Sequence, residues 1–131
     1  MGGRGKNASM SDEDLNYKTV GYIHGVPVVE GIHGEHSLPE CAYHSDAYIR
    51  LDKGVFREMR FYDEDHCVYL EIGYHGEVNL TGDYNKKVLH YHLYSKEFSA
   101  SKDQDFERTV ASFLTDEMFE RYKKYFKGVK L

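Results

Sequence analysis

The sequence contains no tryptophan and only two cysteines and two prolines among its 131 residues. Two cysteines permit at most one disulfide, so the fold cannot depend on a disulfide framework. No run approaches the 18 or so apolar residues of a membrane-spanning helix, so the sequence predicts no membrane span. Glycine-rich phosphate-binding motifs, GxSxG and CxxC are also missing. Any enzymatic interpretation must therefore rest on the histidines.

The chain is also short of positive charge. It carries 17 Lys and Arg against 22 Asp and Glu, a formal charge of −5. Neutralising nucleic-acid phosphates needs clustered basic residues, so a general nucleic-acid binder is disfavoured. No apolar signal segment opens the sequence, which favours a cytoplasmic location in which both cysteines remain thiols.

Composition divides the chain into a tail and one domain. Residues 1–16 are rich in glycine, serine and charge and have little to bury, so they are predicted to form a disordered tail. Residues 17–131 are long enough to bury a core. Twelve tyrosines and seven phenylalanines supply most of its packing area. We therefore predict a single domain over 17–131.

Alternating apolar and polar residues predict a sheet made of short strands. Glycine and acidic residues between the runs favour tight turns and a mainly antiparallel arrangement. Three polar stretches are predicted to be loops, at 33–44, 76–87 and 95–105. The predicted strands are residues 19–24, 26–32, 47–52, 55–63, 67–75 and 88–94.

The C-terminal region has helical periodicity. Residues 105–113 are typical of a short amphipathic turn or helix, and a longer helix is predicted from an N-cap at Thr115 to a stop at Gly128. An apolar stripe on this helix is suited to covering one face of the sheet. Its members are Met118, Phe119, Tyr122 and Phe126. The predicted fold class is α+β, with four to six mostly antiparallel strands packed on a C-terminal helix.

Histidines recur on two neighbouring predicted strands. In VLHYHLY, His90 and His92 alternate with apolar residues, and in CVYLEIGYH, Glu71 and His75 take the equivalent polar positions. Side chains two apart on a strand share a face, and directly opposed residues of antiparallel strands lie within about 5.5 Å. The pattern predicts that these four side chains meet on the more solvated face of the sheet.

Three interpretations of this histidine group remain open. The imidazoles can simply hydrogen-bond neighbouring tyrosines and carbonyls. They can hold a divalent metal such as zinc, with Glu71, His75, His90 and His92 as the candidate ligands. Without a metal, a histidine pair can act as general acid and base, as in phosphoryl transfer from RNA. The sequence assigns no catalytic residue.

A second group of metal-binding residue types occurs in the predicted loop 33–44. His33, His36, Cys41 and His44 have short ligand-like spacings, but the long gap between ligand pairs of a zinc finger is missing. We interpret this segment as a structural loop in which Cys41 is a small buried hydrophobe.

Several segments resemble a family of small proteins encoded by phages and prophages of Gram-positive bacteria, some near portal or head-morphogenesis genes. They are FREMRFYDEDH, YLEIGYH, VLHYHLY and LTDEMFERYKKYFKGVKL, within residues 47–131. The opening MGGRG resembles the junction of head-morphogenesis proteins that carry variable C-terminal toxin domains. The resemblance implies a phage-associated protein in the host cytoplasm and supplies no catalytic residues.

Two classes of function follow from these observations. The first is a phage accessory protein that binds a host or virion protein, for example to inhibit a host defence system; tyrosine richness and acidity favour this class. The second is a small metal- or histidine-dependent hydrolase, such as a nuclease-like toxin or effector. It depends on Glu71, His75, His90 and His92.

Overall fold

A computed structural model describes residues 15–35, 37–95 and 108–130. Most of the predicted tail and most of the predicted loop 95–105 lie outside these residues. The described chain forms one seven-stranded sheet. Its strands are β1 (Tyr17–Ile23), β2 (Val26–Gly31), β3 (Ala47–Asp52), β4 (Val55–Tyr62), β5 (Val68–Gly76), β6 (Lys87–Leu93) and β7 (Ser112–Phe113).

The strand order in the sheet follows the chain from β1 to β7. All neighbours are antiparallel except β2 and β3, whose parallel contact joins Val28 and Ile49. Gly25 and Gly54 adopt positive φ in the first two tight turns, a conformation that costs glycine little. The mostly antiparallel sheet predicted from sequence is therefore confirmed, and the class is α+β.

The helices are short. Helix α1 (Val78–Thr81) occupies part of the predicted loop 76–87, and α2 (Asp116–Tyr122) is followed by a 3-10 turn over Lys123–Tyr125. Thr115 caps α2 as predicted, because its Oγ1 accepts the Met118 N–H at 3.1 Å. The α-helix is shorter than predicted because the chain tightens into the 3-10 turn before Gly128. No helix in the described ranges is long and apolar enough to cross a membrane.

Two predictions about the sheet and its C-terminal end are wrong. The sheet has seven strands rather than four to six, and the segment predicted as an amphipathic turn or helix over 105–113 has no helix in its described residues and ends in β7. Phe113 pairs with His90 and Ser112 with Tyr91. Backbone pairing with β6 overrides the helical spacing of Val110 and Phe113, whose side chains are exposed.

One face of the sheet is apolar and lies beneath the C-terminal segment. Its buried residues include Ile49, Met59 and Ile72, with Phe126 contributed from beyond the 3-10 turn. Phe119 packs against this cluster, as do Tyr122 and Tyr125, although α2 itself contains no fully buried residue. We call this surface the helix-covered face.

The opposite face is covered in part by the loop that follows β2. Leu38 of this loop donates its N–H to Glu58 Oε1 at 3.1 Å and accepts from Arg60 Nη1 at 2.7 Å through its carbonyl. The Tyr62 hydroxyl donates to the Pro39 carbonyl at 2.7 Å. These bonds hold the loop over the β3–β4 part of the sheet. The β5–β6 part carries the histidines, and we call the whole surface the polar face.

Candidate metal centre

The pairing of β5 and β6 places the predicted histidine group together. Glu71 lies opposite His92, and Gly73 lies opposite His90. The rings of His75 and His90 have centroids 4.5 Å apart, and those of His90 and His92 are 5.4 Å apart. The prediction that the imidazoles stand side by side, on the face away from the C-terminal helix, is confirmed.

The expectation that these side chains lie on the more solvated face of the sheet is wrong for three of the four. His90 is fully buried, His92 is 5% exposed and Glu71 is 7% exposed, while His75 is half-buried. Alternation along a strand identifies a polar face but does not show what covers it. Here the cover includes Arg108 and Thr109, which are distant in sequence from β5 and contact the face directly.

Backbone carbonyls orient two of the imidazoles. His75 Nδ1 is 3.0 Å from the Gly76 carbonyl, and His90 Nδ1 is 2.8 Å from the Val88 carbonyl. A carbonyl oxygen can only accept, so both rings carry their proton on Nδ1 and present an Nε2 lone pair. His90 Nε2 is buried and has no hydrogen-bond partner within the described residues. Such a buried polar atom is costly unless a water or an ion completes it.

Gly73 provides the space in which these two nitrogens converge. A Cβ at this position would lie 3.1 Å from His90 Nε2 and 3.2 Å from His75 Nε2. Any larger residue would therefore fill the gap between the rings and the backbone of β5. Glycine inside a strand often marks such a close approach.

Glu77 completes a set of three donors. Suitable ligand atoms of His75, Glu77 and His90 all lie within 4.8 Å of one another. Glu77 follows β5 at the N-terminal end of α1, but its side chain makes no capping hydrogen bond. The sequence prediction missed it, although alternation through residues 71, 73 and 75 continues to 77. Extending that pattern one step past the strand would have found it.

Glu71 belongs to a different group of charges. Its Oε2 is 3.7 Å from Arg60 Nε, its Oε1 is 4.0 Å from Arg108 Nη2, and it accepts a short hydrogen bond from the Tyr94 hydroxyl. Burial alone would raise the pKa of Glu71, but Arg60, Tyr94 and Arg108 together lower it below its ordinary value. The carboxylate is therefore ionised at neutral pH.

Both ring nitrogens of His92 are also engaged. Nδ1 donates to the Thr109 carbonyl at 2.8 Å, and Nε2 accepts from Arg108 Nη2 at 3.0 Å. Burial lowers the pKa of His92, and the charge of Arg108 lowers it further, so the ring is neutral. The four predicted ligands thus divide into two groups. His75 and His90 lie with Glu77, whereas Glu71 and His92 lie with the arginines.

Sequence reasoning missed the residues that pair with Glu71. Arg60 lies two residues after Glu58 on a predicted strand, so both share one face of it. Its place on the polar face could therefore be predicted from the pattern. Tyr94 continues the alternation of His90 and His92. No sequence pattern indicates that Arg108 lies near Glu71, because its position depends on a β-bridge to Tyr94, which is distant in the chain.

A cavity of about 300 Å³ connects the two groups. Glu77 and Asn79 line it on the metal-donor side, and His92, Arg108 and Thr109 line it on the arginine side. A ligand in this cavity can therefore contact both Glu77, one of the candidate metal donors, and the Arg108 guanidinium.

The loop residues do not form a second centre within the described chain. His33 and His44 are exposed, Cys41 is buried as predicted, and His36 lies outside the described residues. Cys41 lies opposite Cys67 across an isolated β-bridge, and both are buried thiols. Among the described residues, His75, Glu77 and His90 are the one group close enough to share an ion.

No protein-family model matches the chain, and no curated protein or solved structure matches it either. The resemblance to phage-encoded proteins therefore stays a prediction. A function can therefore be proposed only from the positions of this protein's own side chains.

Proposed function

We propose that the protein is a metal-dependent hydrolase in which His75, His90 and Glu77 hold one divalent ion such as zinc. The observation that carries the proposal is the convergence of two Nε2 atoms above Gly73. Both rings are fixed by their Nδ1 hydrogen bonds, and the buried Nε2 of His90 is otherwise unpaired among the described residues.

The donor set suits a catalytic ion. Neutral imidazole nitrogen and carboxylate oxygen are zinc ligands, and three protein ligands leave a fourth position for water. Zinc lowers the pKa of bound water to about 7, which produces a hydroxide nucleophile at neutral pH. The ion also polarises the bond that the hydroxide attacks. Glu77 would neutralise part of the ion's charge, and it borders the cavity, which offers space for a substrate beside it.

The surroundings prepare these side chains for metal binding. Burial lowers the pKa of His90, with His75 and His92 adding to the effect, so His90 does not need to lose a proton near neutral pH. Nδ1–H bonds to carbonyls fix ring orientation and tautomer, which is a common outer shell of metal-binding histidines.

The direct experiment combines metal binding with a generic hydrolysis assay. Protein treated with a chelator and titrated with Zn²⁺ is expected to bind one equivalent and to hydrolyse p-nitrophenyl acetate. His75→Ala and Glu77→Gln each remove a ligand from a half-buried position, and both are expected to lose tight zinc binding and zinc-dependent activity. His33→Ala is the matched control, because His33 is exposed and distant from the centre along the chain.

Two outcomes would end this proposal. One is a wild-type protein that binds no zinc, manganese or other divalent ion at neutral pH. The other is equal zinc binding and activity in the wild type, His75→Ala and Glu77→Gln, since the ion would then be held elsewhere. Both readouts are taken on variants whose melting temperature is close to that of the wild type.

As a second proposal we keep the phage accessory protein that binds a host or virion protein in the host cytoplasm. Its specific support is the edge strand β1, on which Val20 is 50% exposed and Tyr22 is 69% exposed. Exposed edge strands can pair with a strand of another protein. Tyr22→Ser is expected to abolish capture of a stoichiometric partner while leaving zinc binding unchanged. Capture unaffected by this change would remove β1 as the binding surface.

A further inference from the structure

Arg108 reaches the cavity beside the candidate metal centre. Its guanidinium lies over the Tyr94 ring at 5.6 Å, and its Nη2 contacts His92 Nε2 at 3.0 Å. The side chain is 39% exposed, in contrast to the buried Arg60 behind it. Stacking on tyrosine and the bond to His92 hold the charged end of Arg108 in place at the cavity wall.

The charges around Glu71 do not cancel. Arg60 and Arg108 share this one carboxylate, so the three side chains together carry one net positive charge. Arg60 is buried and its Nη1 bonds the Leu38 carbonyl, so the excess charge faces the cavity through Arg108. A divalent ion held by one carboxylate adds a second net positive charge. The cavity therefore favours an anion.

Arg108 also has donors available for that anion. Within residues 15–35, 37–95 and 108–130, its hydrogen bond and its ion pair both use Nη2. Its Nε and Nη1 N–H groups can therefore meet a ligand. The planar guanidinium matches the paired oxygens of a phosphate, and arginine with a metal is a recurrent clamp in phosphoryl transfer.

From this arrangement we propose that the hydrolase acts on a phosphodiester, with one non-bridging oxygen on the metal and the other on Arg108. The inference rests on the proposed metal-dependent function. A volume of about 300 Å³ is at the small end of ligand pockets, which suits one phosphodiester and its immediate substituents. The formal charge of −5 disfavours a long duplex.

The reaction is a balanced hydrolysis. The attacking water loses a proton to solvent, and its oxygen forms a bond to phosphorus while the bond from phosphorus to one ester oxygen breaks; an ion held by His75, Glu77 and His90 would supply the Lewis acidity that favours this proton loss. That oxygen leaves as an alkoxide and takes a proton from water. The products are a phosphomonoester and an alcohol, and nothing is oxidised or reduced. Arg108 stabilises the negative charge that the phosphoryl oxygens carry in the transition state.

The test compares an anionic with a neutral substrate on the same zinc-loaded protein. Wild type is expected to hydrolyse bis(p-nitrophenyl) phosphate, with competitive inhibition by inorganic phosphate. Arg108→Gln is expected to lower kcat/KM for the diester about 100-fold, the usual effect of losing one such donor, and to change p-nitrophenyl acetate hydrolysis only slightly. Arg121→Gln, an exposed arginine on α2, is the control and is expected to change neither activity.

The outcomes separate the two proposals. Zinc binding with acetate hydrolysis but no diester hydrolysis would overturn the phosphodiester inference and leave the hydrolase proposal standing. Equal losses for both substrates in Arg108→Gln would show that Arg108 acts on the fold or the metal, which also overturns the inference. Should Arg108→Gln fail to fold, phosphate inhibition of the wild type decides: inhibition of diester hydrolysis supports the inference, and none overturns it. Absence of zinc binding would remove both proposals.

Discussion

The two faces of the sheet are both buried, but by different means. The helix-covered face buries Ile49, Met59 and Ile72 beneath aromatic residues of the C-terminal segment. The polar face buries Glu71 and His90 among arginines, histidines and tyrosine. A hydrophobic core tolerates different apolar side chains of similar volume, whereas buried charges need specific partners.

This difference is the reason why we propose that the function lies on one face. Apolar residues of the same volume would stabilise the fold about as well as these polar groups do. The groups are a buried carboxylate beside two guanidiniums and an imidazole with an unpaired nitrogen. Residues of this kind persist where they bind or react with something. Apolar clusters stabilise both sides of the sheet, and we propose that the histidine-bearing part of the polar face supplies the chemistry. Substitutions on the two faces should therefore have separable effects.

The largest expected effect is that of Glu71→Gln on the polar face. The change keeps the side-chain size but removes the charge that neutralises buried Arg60. Removing one partner of a buried pair typically costs about 3–5 kcal/mol in the free energy of unfolding. Urea denaturation measures it, with exposed Glu117→Gln as the control. A loss below about 0.5 kcal/mol would mean that the Arg60–Glu71 pair is solvated.

Ile72→Ala tests the other face at the neighbouring position. Ile72 is fully buried among apolar side chains, and truncation of such a residue costs about 2–5 kcal/mol. Its side chain points away from Glu71, so the folded variant should bind zinc with the wild-type affinity. Urea denaturation and zinc titration of the same sample check both expectations. A large loss of zinc affinity would contradict the separation of the faces.

Gly73→Ala is designed to weaken zinc binding more than it lowers stability. The added methyl group would lie 3.1 Å from His90 Nε2, where the metal donors converge. Zinc affinity is expected to fall about 10–100-fold, comparable to the loss of an outer-shell contact, without removal of a ligand. Calorimetric titration with Zn²⁺ measures the change. Unaltered affinity would place the ion away from Gly73.

The smallest expected effect is a difference in acid sensitivity between the faces. The pKa of Glu71 in the folded protein is below its ordinary value of 4.5, so the carboxylate contributes stability that is present above that pH and lost as pH falls through the lowered pKa. Glu71→Gln should lose less stability on acidification, by about 1.4 kcal/mol per pH unit at most. Ile72→Ala should keep the wild-type slope. Equal slopes in all three proteins would contradict the assignment.

Much of the fold was predictable because local patterns agree with it. Period-two alternation placed Glu71 and His75 on the same face as His90 and His92, and the β5–β6 register confirms it. Thr115 was identifiable as a helix N-cap because its hydroxyl precedes two acidic residues and an apolar stripe.

What the sequence did not reveal depends on contacts between distant segments. Leu38 and Arg108 cover the polar face from positions far from β5 in the chain, so alternation alone suggested a more solvated face. The short strand β7 forms only because β6 offers it backbone partners. Glu77 lies just past the end of β5, so it was missed because only residues within the predicted strand were considered as ligands.

The central claim is that His75 and His90 present their Nε2 atoms to one metal ion. Long-range ¹H–¹⁵N spectra of the imidazole nitrogens test it directly, because they report tautomer and metal coordination for each ring. We expect protons on Nδ1 of His75 and His90 before metal is added, and a shift of their Nε2 resonances with one equivalent of Zn²⁺, while His92 changes little. Shifts at His92 instead of His75, or no shift in any ring, would contradict the claim.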